Sequence, residues 1–161
     1  VDEIHFCLGY KLRNLPLISH ITLLENDFIC LGSKSNVKYN QERGLVLMNL
    51  KNFEYSFYGW KQLQGVHSMV YDQENEFLFV SNLNRYFSVF KIDLKNAILE
   101  LAGHYSIQGL RDDRLTFSII ESRTKEKANK LFVFDGTDSM FMYLIGKQGK
   151  TFFFSKCQKL Y

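Results

Sequence analysis

Proline is nearly missing from this chain. Pro16 is the only one in 161 residues, and no Pro-, Ser- or Gly-rich run occurs, which argues against a disordered linker. Cysteine is scarce too. Cys7, Cys30 and Cys157 form no Cys-x-x-Cys pair and leave an odd thiol, so a reducing, intracellular compartment is expected. No apolar stretch approaches the roughly 20 residues of a membrane span. The run around Phe152–Phe154 is strand-sized. No basic-then-apolar leader precedes the first residues, so no signal peptide is expected, and a start at Val1 rather than Met is expected of a fragment or a processed chain. Charge is not massed either. The net +3 comes from scattered Lys and Arg, which permits contact with acidic surfaces without predicting nucleic-acid binding.

What the chain does have is aromatic and apolar residues in strand-like order. Hydrophobic residues make up 46%, with 15 Phe and 9 Tyr, a composition suited to half-buried strands. Three stretches end alike: Leu45–Asn52 (LVLMNLKN), Phe87–Asn96 (FSVFKIDLKN) and Leu131–Asp138 (LFVFDGTD). Each is an apolar strand running into a polar turn, and the closing residues Asn52, Asn96 and Asp138 set a period of 42–44 residues. Phe28–Gly32, Phe77–Ser81 and Leu115–Ile119 recur more loosely ahead of them. A period of that length, all strand and turn, is what a propeller blade of four antiparallel strands requires. The reading is an all-β chain of about three to four four-stranded antiparallel blades, approximately 18–60, 61–103 and 104–149 with flanking strands. At roughly 43 residues per blade the chain falls short of the four to eight blades that close a propeller, so it reads as part of a larger one.

Within this frame Ile18–Leu24 is an inner strand, and Ala97–Gly103 is the outer strand of the second unit. The third unit begins near Ser106–Leu110. Val1–Tyr10 reads as an outer strand of a preceding blade. Ser33–Arg43 is a long polar loop expected to project outward, and Ser122–Lys130 is a charged loop with helix-forming residues.

Candidate chemistry is sparse. His5, His20, His67 and His104 have no ligand spacing, and zinc would need three or four clustered ligands. His67 and His104 precede inner-strand positions of successive units, where each is expected to satisfy a hydrogen bond. Asp112–Asp113 and Asp135/Asp138 are expected to serve turns, since Asp and Asn side chains bond the local backbone. Gly146–Thr151 (GKQGKT) looks superficially like a phosphate loop but runs into FFF rather than a helix, so it reads as a hairpin turn. No catalytic residue, cofactor or metal is expected. The residues expected at an interface are Lys34, Lys38 and Arg43 in the long loop and Tyr55, Tyr58 and Trp60 after it, because Trp, Tyr and Arg dominate hot spots. Trp60 also reads as a core residue between blades.

The order of segments resembles a known family. Phe28–Leu50 (FICLGSKSNVKYNQERGLVLMNL) resembles the opening of the C-terminal propeller in large triple-propeller scaffolds. These include the large damaged-DNA-binding subunit, the large cleavage-and-polyadenylation subunit and the propeller subunit of splicing factor 3b. Gln62–Leu94 is similar to the next blade. Tyr105–Ser122 followed by Lys130–Asp138 is nearest the splicing member. The resemblance spans Phe28–Asp138. It implies a WD40-like propeller without an active site, which holds other protein subunits of a nuclear RNA-processing complex. The branch-site-recognising splicing assembly comes before 3′-end processing, with the ubiquitin-ligase adaptor as a variant. It implies no membrane and no small-molecule substrate, and RNA contact only through backbone-positioning Lys and Arg.

Two readings compete. A six-bladed ligand-binding or hydrolase-type propeller finds support in Phe132–Gly149, and a β-sandwich of about eight strands would make the repeat a coincidence of hairpin spacing. A scaffold propeller is expected to show no change in melting temperature on titration with divalent metals. A metal-dependent rise would favour the hydrolase type, since a ligand bound to the native state must raise its stability.

Overall fold

The computed structural model describes residues 18–33, 44–59, 63, 65–82, 86–106, 116–120, 129–134, 140–148 and 151–159. Alternating apolar residues bounded by Asn, Asp and Gly turns produce twelve strands among these residues. The first sheet holds β1 (Ile18–Leu23), β2 (Phe28–Ser33), β3 (Gly44–Asn49) and β4 (Tyr55–Gly59) in chain order. The second holds β5 (Val66–Asp72), β6 (Phe77–Asn82), β7 (Tyr86–Asp93) and β8 (Ile98–Ser106). The third holds β9 (Thr116–Ile120), β10 (Asn129–Phe134), β11 (Met140–Gln148) and β12 (Thr151–Lys159).

All pairings are antiparallel between successive strands. The first strands lie side by side, β1 against β5 and β5 against β9. Three meanders joined through their first strands and stacked face to face are propeller blades, and the fold is all-β. A sandwich would show two facing sheets instead.

Each sheet has a leading face, toward the preceding sheet in the chain, and a trailing face. Strand alternation supplies both with apolar side chains. Cys30, Leu45 and Leu47 on the trailing face of the first sheet meet Leu78, Val80, Phe90 and Ile92 on the leading face of the second. Phe77, Phe79, Phe87 and Val89 behind them meet Leu131, Val133, Phe141 and Tyr143 of the third. In the middle sheet β6 is therefore buried along its whole length, whereas on β10 of the third sheet Phe132 and Phe134 remain partly or well exposed. Near-continuous apolar runs such as FLFV are the sequence trace of that double burial.

The third repeat is displaced by one strand from expectation. Leu45–Asn52 and Phe87–Asn96 correspond to β3 and β7, third in their sheets, whereas Leu131–Asp138 corresponds to β10, second in its sheet. Leu115–Ile119 likewise falls on a first strand, β9. Ser106 belongs to β8, which runs past the expected Gly103. The cause is physical: second and third strands both carry apolar side chains toward two faces, so their apolar patterns do not reveal strand rank. Gly146–Thr151 falls in the β11–β12 hairpin, whose pairing runs to Gln148 opposite Thr151. Val1–Leu17, residues 34–43, residues 107–115 with Asp112 and Asp113, residues 121–128, and residues 135–139 with Asp135 and Asp138 lie outside the described residues.

Three of the hairpin turns follow one local rule. Asn49, Asp72 and Asp93 each stand four residues before a left-handed residue, Phe53 (φ 59°), Glu76 (φ 59°) and Ala97 (φ 52°). Asp72 accepts from the Asn75 backbone N–H and side-chain amide at 3.3 and 2.8 Å, and Asp93 does the same with Asn96 at 3.1 and 2.7 Å. Asn49 Oδ1 accepts from the Lys51 N–H at 2.8 Å. The Asx residue stabilises the turn while the last position adopts a conformation costly for a side chain.

The inner strands carry bulges closed by serine. Pairing shifts between Ile18 and His20 in β1 and between Val66 and Met69 in β5. Ser81 Oγ accepts from the Ser68 N–H at 2.8 Å and donates to its carbonyl at 3.2 Å, occupying the second bulge. Ser19 Oγ lies 2.6 Å from the Val66 carbonyl and 3.2 Å from that of Gly32, tying the first two sheets together.

Two stability predictions follow from this packing. A Cβ on Gly32 would lie 2.5 Å from Val66 Cγ1 and 2.7 Å from its Cβ, so Gly32→Ala forces the first two sheets apart. A loss of about 1–3 kcal/mol is expected, typical of overpacking. Denaturant unfolding checks it, and an unchanged midpoint would show that the sheets are not held at this spacing. Glu76→Gly removes a left-handed penalty and is expected to be neutral or stabilising by up to about 1 kcal/mol, against about 1 kcal/mol of loss for a typical substitution.

Candidate protein-interaction surface

Of the expected interface residues, Tyr55 and Tyr58 are among the described residues. Lys34, Lys38, Arg43 and Trp60 lie outside the described residues. Tyr55 and Tyr58 both stand on β4, but three positions apart on a strand puts them on opposite faces. Tyr55 pairs with Met48 on the leading face of the first sheet and is 41% exposed. Tyr58 pairs with Leu45, packs into the core between the first two sheets, and donates its hydroxyl to the Ala97 carbonyl. Ala97 is the left-handed residue closing the β7–β8 turn, so this bond clamps the outer strand of one blade to the outer turn of the next.

A more ordered aromatic surface lies on the second sheet. The ring of Tyr86, 41% exposed, stacks on His104 with centroids 5.0 Å apart and planes 11° from parallel. His104 Nδ1 is 2.9 Å from Ser88 Oγ, and Ser88 accepts from Asn82 Nδ2 at 3.2 Å. Ser88 and Asn82 are fully buried. Asn82 Oδ1 has no hydrogen-bond partner among the described residues. A buried polar chain thus fixes the orientation of an exposed imidazole and the phenol over it. His104 was expected ahead of an inner strand; it stands on β8, the outermost strand of its sheet. Only the register, which sets Ser88 opposite His104, brings the group together, and no linear signal in the sequence announces it.

The histidines on the inner strands form a different neighbourhood. His20 on β1 lies near the Met69 backbone and close enough to His67 on β5 for their charges to interact. Burial holds its pKa below the usual histidine value, the Met69 backbone opposes this, and His67 adds to the lowering. Burial also lowers His104. Beside His20, an open cleft of about 420 Å³ is lined by Thr22, Leu23, Glu25, Met69 and Tyr71, among others. Burial, then Glu25, Glu76 and Asp72, push the Tyr71 hydroxyl up to about 12. Cys30 is fully buried and its thiol is likewise pushed up to about 12, which makes it an inert core residue. Among the described residues no group of three or more His, Cys, Asp or Glu side chains stands close enough to hold a metal ion, and no helix is long and apolar enough to cross a membrane.

The fold defines the chain as an all-β protein of stacked four-stranded blades. No protein-family model and no curated protein matches it. It is similar to a solved structure titled "Crystal Structure of the N-terminal Domain of Nup159", with a TM-score of 0.47 and 14% identity over 88% of this chain. The chain spans 37% of the length of that structure. The triple-propeller resemblance therefore stands on the residues of 28–138 by themselves.

Two expectations test the geometry. Tyr58→Phe removes the clamp to Ala97 and is expected to cost about 0.5–1.5 kcal/mol in denaturant unfolding, with the ring still packed. Because His20 and His104 have lowered pKa values when folded, the unfolded chain binds more protons just below about pH 6.5. Their contribution is complete above that value and declines as pH falls toward the folded-state values. Melting temperature is thus expected to drop between about pH 7.5 and about pH 5.5, and to drop less in His20→Gln/His104→Gln. An equal drop in the variant would assign the effect to other groups.

Proposed function

We propose that this chain is a non-catalytic protein–protein interaction scaffold. The observation that carries the reading is the Tyr86–His104 stack, an exposed aromatic pair fixed from beneath by Ser88 and Asn82. Interface hot spots favour tyrosine, and a side chain already held in one orientation loses little entropy on binding. Four ionisable side chains of the turns, by contrast, are engaged in local structure: Asp72 and Asp93 hold their turns, and Lys51 pairs with Asp27 at 2.8 Å.

The finer reading rests on the sequence resemblance. In it the chain belongs to a larger propeller in a nuclear RNA-processing complex, the branch-site-recognising splicing assembly ahead of 3′-end processing. The partners are other protein subunits, and Lys34, Lys38 and Arg43 would reach RNA only through its phosphates. The ubiquitin-ligase adaptor of the same family differs in partner rather than in fold.

The test is a pull-down from the native source with the tagged full chain and mass spectrometry of what co-purifies. Recovery of splicing or polyadenylation subunits is expected. Tyr86→Ala is expected to reduce their recovery about tenfold or more, as loss of a hot spot of about 1.4–2 kcal/mol requires. Recovery of a cullin would move the chain to the ligase adaptor. A chain that comes down unaccompanied would overturn the scaffold reading.

A further inference from the structure

Asn82, Ser88 and His104 form a short polar row beside the exposed Tyr86 ring. Asn82 ends β6, Ser88 lies near the start of β7, and His104 stands opposite Ser88 on β8. Asn82 and Ser88 are fully buried, whereas His104 is exposed. Asn82 Nδ2 lies 3.2 Å from Ser88 Oγ, and Ser88 Oγ lies 2.9 Å from His104 Nδ1. Burial favours the neutral imidazole, so the row carries no charge.

The direction of each bond follows from what each group can give. An amide nitrogen only donates, so Asn82 occupies a lone pair of Ser88 Oγ. A hydroxyl has one hydrogen, and the acceptor for it among the described residues is His104 Nδ1. Nδ1 therefore presents its lone pair, and the neutral ring carries its proton on Nε2. Turning the Asn82 amide over would reverse the chain, with Ser88 donating to Oδ1 and His104 Nδ1–H donating to Ser88. Both N–H groups of a fully buried amide would then lack an acceptor among the described residues. The first arrangement pairs one of them and leaves Oδ1 unpaired, and an unpaired buried oxygen is tolerated better than an unpaired buried N–H.

We infer that Ser88, held by Asn82, fixes His104 in its Nε2–H form, so that the stack meets a partner protein with an uncharged N–H donor and takes a peptide carbonyl oxygen. This rests on the reading of the stack as an interaction surface. The Nδ1 edge of the ring is turned to buried Ser88, which leaves the Nε2 edge to the partner. Tyr86 covers one ring face with its plane 11° from parallel, so an acceptor approaches Nε2 from the edge. A carboxylate is disfavoured there. Asn82, Ser88, Tyr86 and His104 bring no positive charge, and a carboxylate buried without one loses more hydration than neutral donors return. A peptide carbonyl accepts the same bond without burying a charge. Ser88 is thus a positioning residue, and His104 is the group that selects.

Long-range proton–nitrogen correlation spectra of the 15N-labelled full chain at about pH 8, above the ordinary histidine value, read the ring directly. His104, assigned by its loss in His104→Phe, is expected to show a protonated Nε2 and an unprotonated Nδ1. A protonated Nδ1 would overturn the inference and leave the scaffold reading intact, since no partner takes part. Ser88→Ala is expected to average the two ring-nitrogen signals as the ring exchanges between tautomers, and unchanged signals would show that Ser88 does not position it. In the pull-down, His104→Phe keeps a ring for Tyr86 to stack on and loses the donor, and circular dichroism checks that it keeps the β spectrum. Recovery of the proteins that accompany the parent chain is expected to fall about two- to tenfold, as loss of one hydrogen bond requires. Full recovery with His104→Phe beside a fall with Tyr86→Ala would overturn the donor and leave the scaffold reading standing. Full recovery with Tyr86→Ala would overturn the use of the stack itself. A recovery that rises between about pH 8 and about pH 6 in the parent, and not in His104→Phe, would place a carboxylate on the ring and overturn the carbonyl.

Discussion

Each sheet in this protein must be covered on two faces at once. The second and third strands of every blade alternate apolar side chains to both sides, as in β6, where each residue from Phe77 to Asn82 is buried. A sheet of that kind is not stable as one wall of a two-layer sandwich, since one face would remain in water. It requires a neighbour before and behind. Stacking of successive sheets is the arrangement that supplies both, and the cores around Leu78 and Phe79 are its two halves. At about 25 cal/mol per Å² of apolar area removed from water, such double burial dominates the stability of the stack.

Around that constraint the polar groups have secondary but definite work. Where inner strands crowd together, bulges in β1 and β5 free backbone groups that Ser19 and Ser81 satisfy. Buried donors and acceptors left unpaired would each cost about 1–3 kcal/mol, so these hydroxyls are part of the packing. At the outer end, Tyr58 reaches across to the Ala97 carbonyl. Inner serines and an outer tyrosine thus pin the first two blades at both ends, and the apolar core between them fixes the spacing at which Gly32 meets Val66. The same polar logic, turned outward, holds His104 and Tyr86 in place.

Much of the fold was legible in the amino-acid order. FICLG and FLFVS read as strands because their apolar residues are continuous, and the Asn and Asp closing each repeat read as turns because their side chains bond nearby backbone. Strand rank in the third sheet was not legible: LFVF has the same two-sided pattern whether second or third. The surface was less legible still. Tyr55 and Tyr58 look like one aromatic patch in the sequence, yet the period of two sends one to the leading face of the first sheet and the other into the core between the first two sheets. Tyr86, Ser88 and His104 look unrelated in sequence, and antiparallel pairing makes them one group.

Local sequence by itself determined the all-β class, the approximate blade period and the turns, because those depend on side-chain alternation and on Asx residues acting within a few positions. Tertiary structure decided which strand stands where in the third sheet, which tyrosine is exposed, and which histidine meets a buried serine. Those outcomes depend on pairing register and on what packs against each face, and both are set by contacts between residues far apart in the chain.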